Sequence, residues 1–258
     1  MIAQFALRLI FGISLMWALM PRRDVTCGFF RIQMLLVLGL SVLSAITLGD
    51  YAILPAGGET LLSTRVLKIL SVVLAVTAYA GSVLWTLDRR TGGTTCIAVI
   101  LLISLVSLLA TVSSASSLQS ATGWLVLLSE ISTAWILGAA LTGMLLGHWY
   151  LTAPTMSIKP LSTLTLLFGG AVGLRLILSG VAWAMYASEI TGSTHLTWFA
   201  LRWVAGIAGS AAVFVMTWKI LKFRNTQAAT GVLFVGVILT FLGELSALLL
   251  YRGLKLPL

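Results

Sequence analysis

Long apolar stretches alternate with short polar segments along the whole chain. About eight of these stretches reach the length that an α-helix needs to cross a hydrocarbon core of about 30 Å. Polar connections such as PRRD, DRRTGG and KFRNTQ carry the charges and turn-forming residues between them. The predicted spans are Ile2 to Met20, Gly28 to Leu48, Val66 to Leu87, Thr95 to Thr111, Gly123 to Tyr150, Leu161 to Tyr186, Leu196 to Leu221 and Ala229 to Tyr251.

Composition narrows this pattern to one class of protein. Of the 258 residues, 59% are hydrophobic and 9% are charged, whereas soluble domains carry roughly 25% charged residues. We therefore predict an all-α, polytopic integral membrane helical bundle. Because the connections are too short to fold alone, residues 1–258 are expected to form a single transmembrane domain.

The distribution of basic residues predicts a topology. The net charge of +9 is concentrated in short loops, which indicates membrane orientation and not binding to nucleic acid. The connections after the odd-numbered spans, with adjacent helix ends, hold most arginines and lysines. The opposite side carries Asp50, Glu59, Glu189, Arg65, Lys68, Arg252 and Lys255. The positive-inside rule then places both termini on the periplasmic side of a bacterial inner (cytoplasmic) membrane.

Five charged residues fall well inside predicted spans, away from the span ends. They are Arg8, Glu130, Arg175, Arg202 and Glu244, each on a different helix and at broadly similar predicted depth. A charge at the centre of a span costs about 2.5 to 3.5 kcal/mol, so these groups should face each other or water. Glu130 with Arg175, and Glu244 with Arg202 or Arg8, are the natural pairings, and the sequence does not choose among them. Such pairs either serve a function or simply fix helix register, and the sequence leaves both interpretations open.

Small residues recur on two of the charged helices. The fifth span carries Ala139, Gly143 and Gly147, and the sixth carries Gly169, Gly173 and Gly180. Rows of this kind allow another helix to approach closely. We therefore predict tight packing along these faces, with the charged side chains directed elsewhere.

A second candidate site lies at the other end of the fifth span. His148, Trp149 and Tyr150 are consecutive there, so His148 could transfer protons or bind a quinone carbonyl between aromatic walls. The alternative is an interfacial histidine within an ordinary aromatic belt. His195 is predicted on the opposite membrane surface, which argues against a haem held by two histidines of this chain. A haem shared with another subunit or held by methionine stays open.

These observations support two functional hypotheses. The first is a non-catalytic integral membrane subunit of a multisubunit respiratory or redox complex, interacting with quinone or lipid and passing protons. The second is a small-solute or ion transporter that uses the intramembrane Glu and Arg residues. No recognised nucleotide, hydrolase or metal motif occurs in the sequence, so no metal site is expected. The sequence does not identify a cofactor, and quinone is the first candidate. The expected partners are the lipid bilayer and other membrane or peripheral subunits.

Overall fold

The structure is a computed structural model that describes residues 2–48, 62–112, 121–153, 155–186 and 192–254. The described residues are helical apart from short turns. Of the charges used for the topology prediction, Asp50, Glu59, Glu189 and Lys255 lie outside the described residues. The helices are α1 (Ile2–Leu19), α2 (Cys27–Thr47), α3 (Thr64–Thr86), α4 (Arg90–Val112), α5 (Ala121–Trp149), α6 (Lys159–Tyr186), α7 (Ser193–Leu201), α8 (Ser210–Lys222) and α9 (Thr226–Leu254).

Among the described residues, eight helices are long and apolar enough to cross a membrane, which confirms the predicted all-helical class and agrees with the predicted number of spans. The seventh of them, Ser193–Lys222, consists of α7, a π-helical segment (Arg202–Gly209) and α8 in direct succession. The other spans are single α-helices. The protein is thus of the multi-pass membrane type by the length and composition of its helices.

Seven of the eight spans begin earlier than predicted, and the difference is largest at α4, which starts at Arg90 inside the predicted connection DRRTGG. Similarly, α6 starts at Lys159 and includes Pro160 in its first turn. The N–H groups of a first turn have no intrahelical partner, so proline and glycine are tolerated there.

The chain divides into two compact units, Met1–Leu127 and Leu128–Leu258. In the first unit, α2 packs along α3, while α4 packs against α1 and α3. Serine hydroxyls join two of these helices, since Ser44 Oγ lies 3.2 Å from Ser71 Oγ inside the unit. That the whole chain forms one domain stays a prediction.

In the second unit, α9 packs against α7, α8 and the π-helical segment. The closest approach is between two glycines, because a methyl group built on Gly206 would lie 2.7 Å from Cα of Gly243. A buried hydrogen bond of 3.3 Å between the hydroxyls of Ser210 and Thr240 follows one turn further on. The π-helical segment was not predicted from the sequence.

The small-residue rows pack closely at some positions only. A side chain on Gly147 would collide with Thr230 of α9, and one on Gly169 would collide with the ring of Phe214. At Gly173 and Gly180, however, no described atom lies within 4 Å of an added Cβ. The prediction of tight packing is therefore wrong for these last two glycines, whose spacing fits a close contact that the neighbouring helices do not make.

Candidate functional site

A buried ion pair joins α6 to α9 in the second unit. Arg175 and Glu244 form a two-pronged contact, with Nε 2.9 Å from Oε1 and Nη2 2.8 Å from Oε2. Their side chains are only 3% and 6% exposed. This parallel geometry is the strongest that an arginine and a carboxylate form.

The remaining nitrogen of the guanidinium is bound by α5. Nη1 of Arg175 donates to Ser129 Oγ at 2.6 Å, to the Ser129 carbonyl at 3.2 Å and to Ser132 Oγ at 3.1 Å. On the acceptor side, Thr133 Oγ1 donates to Oε2 of Glu244 at 2.9 Å. Three helices therefore meet at one ion pair, and every guanidinium nitrogen donates to protein.

The sequence carried a signal for the residues of α5 that we did not use. Ser129, Ser132 and Thr133 have the spacing i, i+3 and i+4, which places three hydroxyls on one face of a helix. A polar face in an otherwise apolar span indicates a buried polar contact. The predicted cluster contained charged residues alone and lacked the hydroxyls that complete the site.

The pairing differs from the natural one suggested by the sequence. Glu130 is the natural partner of Arg175 by sequence, although the sequence does not choose among the pairings, and the structure pairs Arg175 with Glu244. The physical reason is the rotation of α5 about its axis. The hydroxyls of Ser129 and Ser132 lie on the face that contacts Arg175, whereas Glu130 follows Ser129 in the sequence, lies about 100° further round the helix and is half-buried.

Two other predicted members of the charge cluster, Arg202 and Arg8, are also buried. Arg202 is buried at the start of the π-helical segment, and its Nη2 donates to Ser179 Oγ of α6 at 2.8 Å. Ser179 lies one turn beyond Arg175 on α6. Successive turns of α6 therefore carry two contacts that involve an arginine, one between Arg175 and Glu244 and one between Ser179 and Arg202. Arg8 is buried on α1 in the first unit. That all five charges form one cluster stays a prediction.

The aromatic end of α5 is arranged differently from a closed pocket. His148 is exposed and Trp149 is half-buried, while Tyr150 is buried and its hydroxyl donates a short hydrogen bond to the Ser157 carbonyl. Tyr150 thereby fixes the turn between α5 and α6. A quinone or proton site at these three residues stays a prediction.

The ion pair offers limited chemistry in this arrangement. Both oxygens of Glu244 accept hydrogen bonds, so the carboxylate is stabilised in its charged form and directed at protein. Within the described residues, no group of three or more His, Cys, Asp or Glu side chains is placed to hold a metal ion. Such a geometry suits the joining of helices within an apolar environment.

Comparison of the chain with protein-family models, with curated proteins and with solved structures finds no match in any of the three. The residues and contacts of this chain are therefore the basis for proposing a function.

Proposed function

We propose that the protein is a non-catalytic integral membrane subunit of a multisubunit respiratory or redox complex, in which the Arg175–Glu244 ion pair holds three helices of the second unit in register. The observation that carries this proposal is the completeness of the hydrogen bonding around the pair. All three guanidinium nitrogens and both carboxylate oxygens engage neighbouring helices. A group used this way stabilises a helix arrangement against which other subunits can pack.

The proposal includes a placement in the membrane. The distribution of Arg and Lys supports a bacterial inner membrane with both termini on the periplasmic side. The assignment to a respiratory or redox complex rests on the short connections, which leave little mass outside the spans. Interaction with quinone or lipid, and proton transfer past the intramembrane charges, belong to the same proposal.

Purification of the tagged chain from its own membranes in a mild detergent tests this proposal. We expect the chain to run with partner subunits at a native mass well above its own 27.5 kDa, and quinone-linked activity to copurify with it. The double variant Arg175→Met/Glu244→Leu, which replaces the pair by apolar side chains, should retain both the partners and the turnover. A chain that runs alone in its micelle would overturn the proposal.

A second candidate function is a proton-coupled transporter of small anions. The observation that favours it is the π-helical segment Arg202–Gly209, because π-helical turns frequently mark functional sites and Arg202 lies buried at its start. A span with two hydrogen-bonding registers could change shape while an arginine binds an anion.

Reconstitution into vesicles distinguishes the two candidates. A transporter should acidify the vesicle lumen, followed by a pH-sensitive dye, when an anionic solute is added outside. The Arg175→Met/Glu244→Leu variant should then fold but lose this signal. If the wild-type protein gives no more acidification than empty vesicles across a panel of inorganic and carboxylate anions, the transporter hypothesis fails.

A further inference from the structure

A cavity opens at one end of the first unit and is separate from the ion pair described above. It has a volume of about 740 Å³, within the range of known ligand sites. It lies where α1 ends, at the short 3₁₀ turn Arg22–Asp24, at the end of α3 and at the start of α4. The lining residues that matter here are Arg22, Arg23, Asp24, Trp85, Arg90 and Thr94.

The charge of this cavity favours an anion. Three guanidinium groups line it, from Arg22, Arg23 and Arg90, against the single carboxylate of Asp24. Arg90 also pairs with Asp88 at 3.6 Å, but it is 47% exposed and lies beside the cavity. Arginine forks match the oxygens of a phosphate group better than any other side chain.

The start of α4 adds uncharged donors on the same wall. Its first turn contains no acidic residue, and Thr91 and Thr94 line the cavity, whereas the hydroxyl of Thr95 donates to the Thr91 carbonyl at 3.1 Å. The first N–H groups of a helix lack intrahelical partners and carry partial positive charge. Helix starts of this kind bind phosphate and carboxylate groups.

A buried indole completes the wall. Trp85 is 2% exposed, stacks on Phe30 with ring centres 4.5 Å apart, and lies so close to Gly93 that a methyl group there would be 2.6 Å from its Nε1. Among the described residues, this Nε1 has no hydrogen-bond acceptor. The Nε1 atom is shielded by α4 at Gly93, so Trp85 closes this wall by packing, and the arginines are the donors that face an anion in the cavity.

We propose that this cavity binds a phosphate group, carried either by the headgroup of an anionic phospholipid or by a small soluble phosphate compound. A bilayer around α1, α3 and α4 would bring the cavity to the level of the headgroups, since it lies at the ends of spans. Basic pockets between spans are known to hold anionic headgroups. The inference is independent of the function proposed above.

The test uses the full-length protein in detergent micelles. Native mass spectrometry measures the affinity for phosphatidylglycerol and for phosphatidylcholine, and thermal unfolding measures stabilisation by inorganic phosphate and glycerol 3-phosphate. The cavity variant is Arg22→Gln/Arg23→Gln. The matched control is Lys222→Gln/Arg224→Gln, which removes the same charge from exposed positions at the end of α8.

We expect the cavity variant to bind phosphatidylglycerol at least about tenfold more weakly than wild type, as for the loss of charge-assisted hydrogen bonds. The control should stay within about twofold. Stabilisation by the soluble phosphates without a preference for phosphatidylglycerol would identify the soluble source. Equal losses in both variants, or no effect of any phosphate on the wild-type protein, would overturn the proposal.

A further variant covers the case in which loss of both arginines prevents folding. Arg22→Lys/Arg23→Lys keeps both positive charges and removes only the guanidinium forks. We expect its affinity for the same phosphate to fall about fivefold, the equivalent of one hydrogen bond. An unchanged affinity in this variant would count against the assigned wall.

Discussion

Neutralising one half of the buried ion pair should be far more damaging than removing both halves. Glu244→Gln keeps the size of the side chain but removes its charge. The Arg175 guanidinium, 3% exposed, is then left charged among serine and threonine hydroxyls. Breaking a buried pair in this way costs about 3 to 5 kcal/mol, mostly because the remaining charge stays buried.

The magnitude follows from the geometry. Nitrogen and oxygen atoms of Arg175 and Glu244 are 2.8 and 2.9 Å apart, which places the centres of charge about 4 Å from each other. At an effective dielectric constant of about 20, two unit charges at that separation attract by about 4 kcal/mol. If this attraction is lost while the guanidinium stays desolvated, the free energy of unfolding falls by an amount that lies within the range of about 3 to 5 kcal/mol given above.

The double variant Arg175→Met/Glu244→Leu should recover most of that loss. Neither side chain then carries a buried charge, and apolar residues of similar volume often replace ion pairs without cost. Ser132 keeps its own hydrogen bond to the Ser129 carbonyl at 2.9 Å, whereas Thr133 loses its carboxylate acceptor. We expect a residual cost of about 1 kcal/mol for that single hydroxyl.

Reversible unfolding in mixed micelles of mild and denaturing detergent, followed by circular dichroism, measures these free energies. The matched control is Thr240→Val, one turn before Glu244 on α9, which removes two buried but uncharged hydrogen bonds, with the Ser210 hydroxyl and with the Gly236 carbonyl. It should cost about 1 to 2 kcal/mol. If Glu244→Gln costs no more than this control, the ion pair does not hold the helices. If the double variant is as unstable as the worse single variant, a leftover buried charge is not the cause of the loss.

Two further predictions concern close contacts between helices. Both are tested by measuring the thermal unfolding of the purified chain. Gly206→Ala places a methyl group against backbone and should cost about 1 to 3 kcal/mol, whereas Gly173→Ala should be tolerated because no described atom is within 4 Å. Gly93→Ala brings Cβ to 2.5 Å from the Trp85 ring and should destabilise the first unit similarly, while Gly39→Ala is its silent control. Equal effects within either pair of variants would contradict the packing described.

The class of fold could be predicted because hydropathy is a property of each segment by itself. A stretch such as Cys27–Thr47 must become a helix in lipid, whatever surrounds it, since its backbone groups have no other partners there. The π-helical segment Arg202–Gly209 was not predicted, and it contains Gly206, which lies in close contact with Gly243 of α9. Contacts of that kind depend on tertiary packing that local periodicity does not encode.

The site could be predicted only by residue type. Isolated charges in apolar spans identified Arg175 and Glu244 as buried groups that need partners. The choice between Glu130 and Glu244 as the partner of Arg175 depends on how α5, α6 and α9 are rotated about their axes. Rotation follows from packing, and the three hydroxyls of Ser129, Ser132 and Thr133 were its best sequence signal.

The hydrogen bonding of Glu244 bears directly on whether it carries protons. Protonation would remove the charge that faces Arg175 and leave the guanidinium buried without its carboxylate, at the cost worked out above. A proton carrier at this position therefore requires a second arrangement in which Arg175 finds another acceptor at the same time. The arrangement described here is the one in which the pair is closed, which favours a structural role for Glu244 and makes the double variant the decisive comparison. Turnover that survives Arg175→Met/Glu244→Leu would remove Glu244 from any proton path.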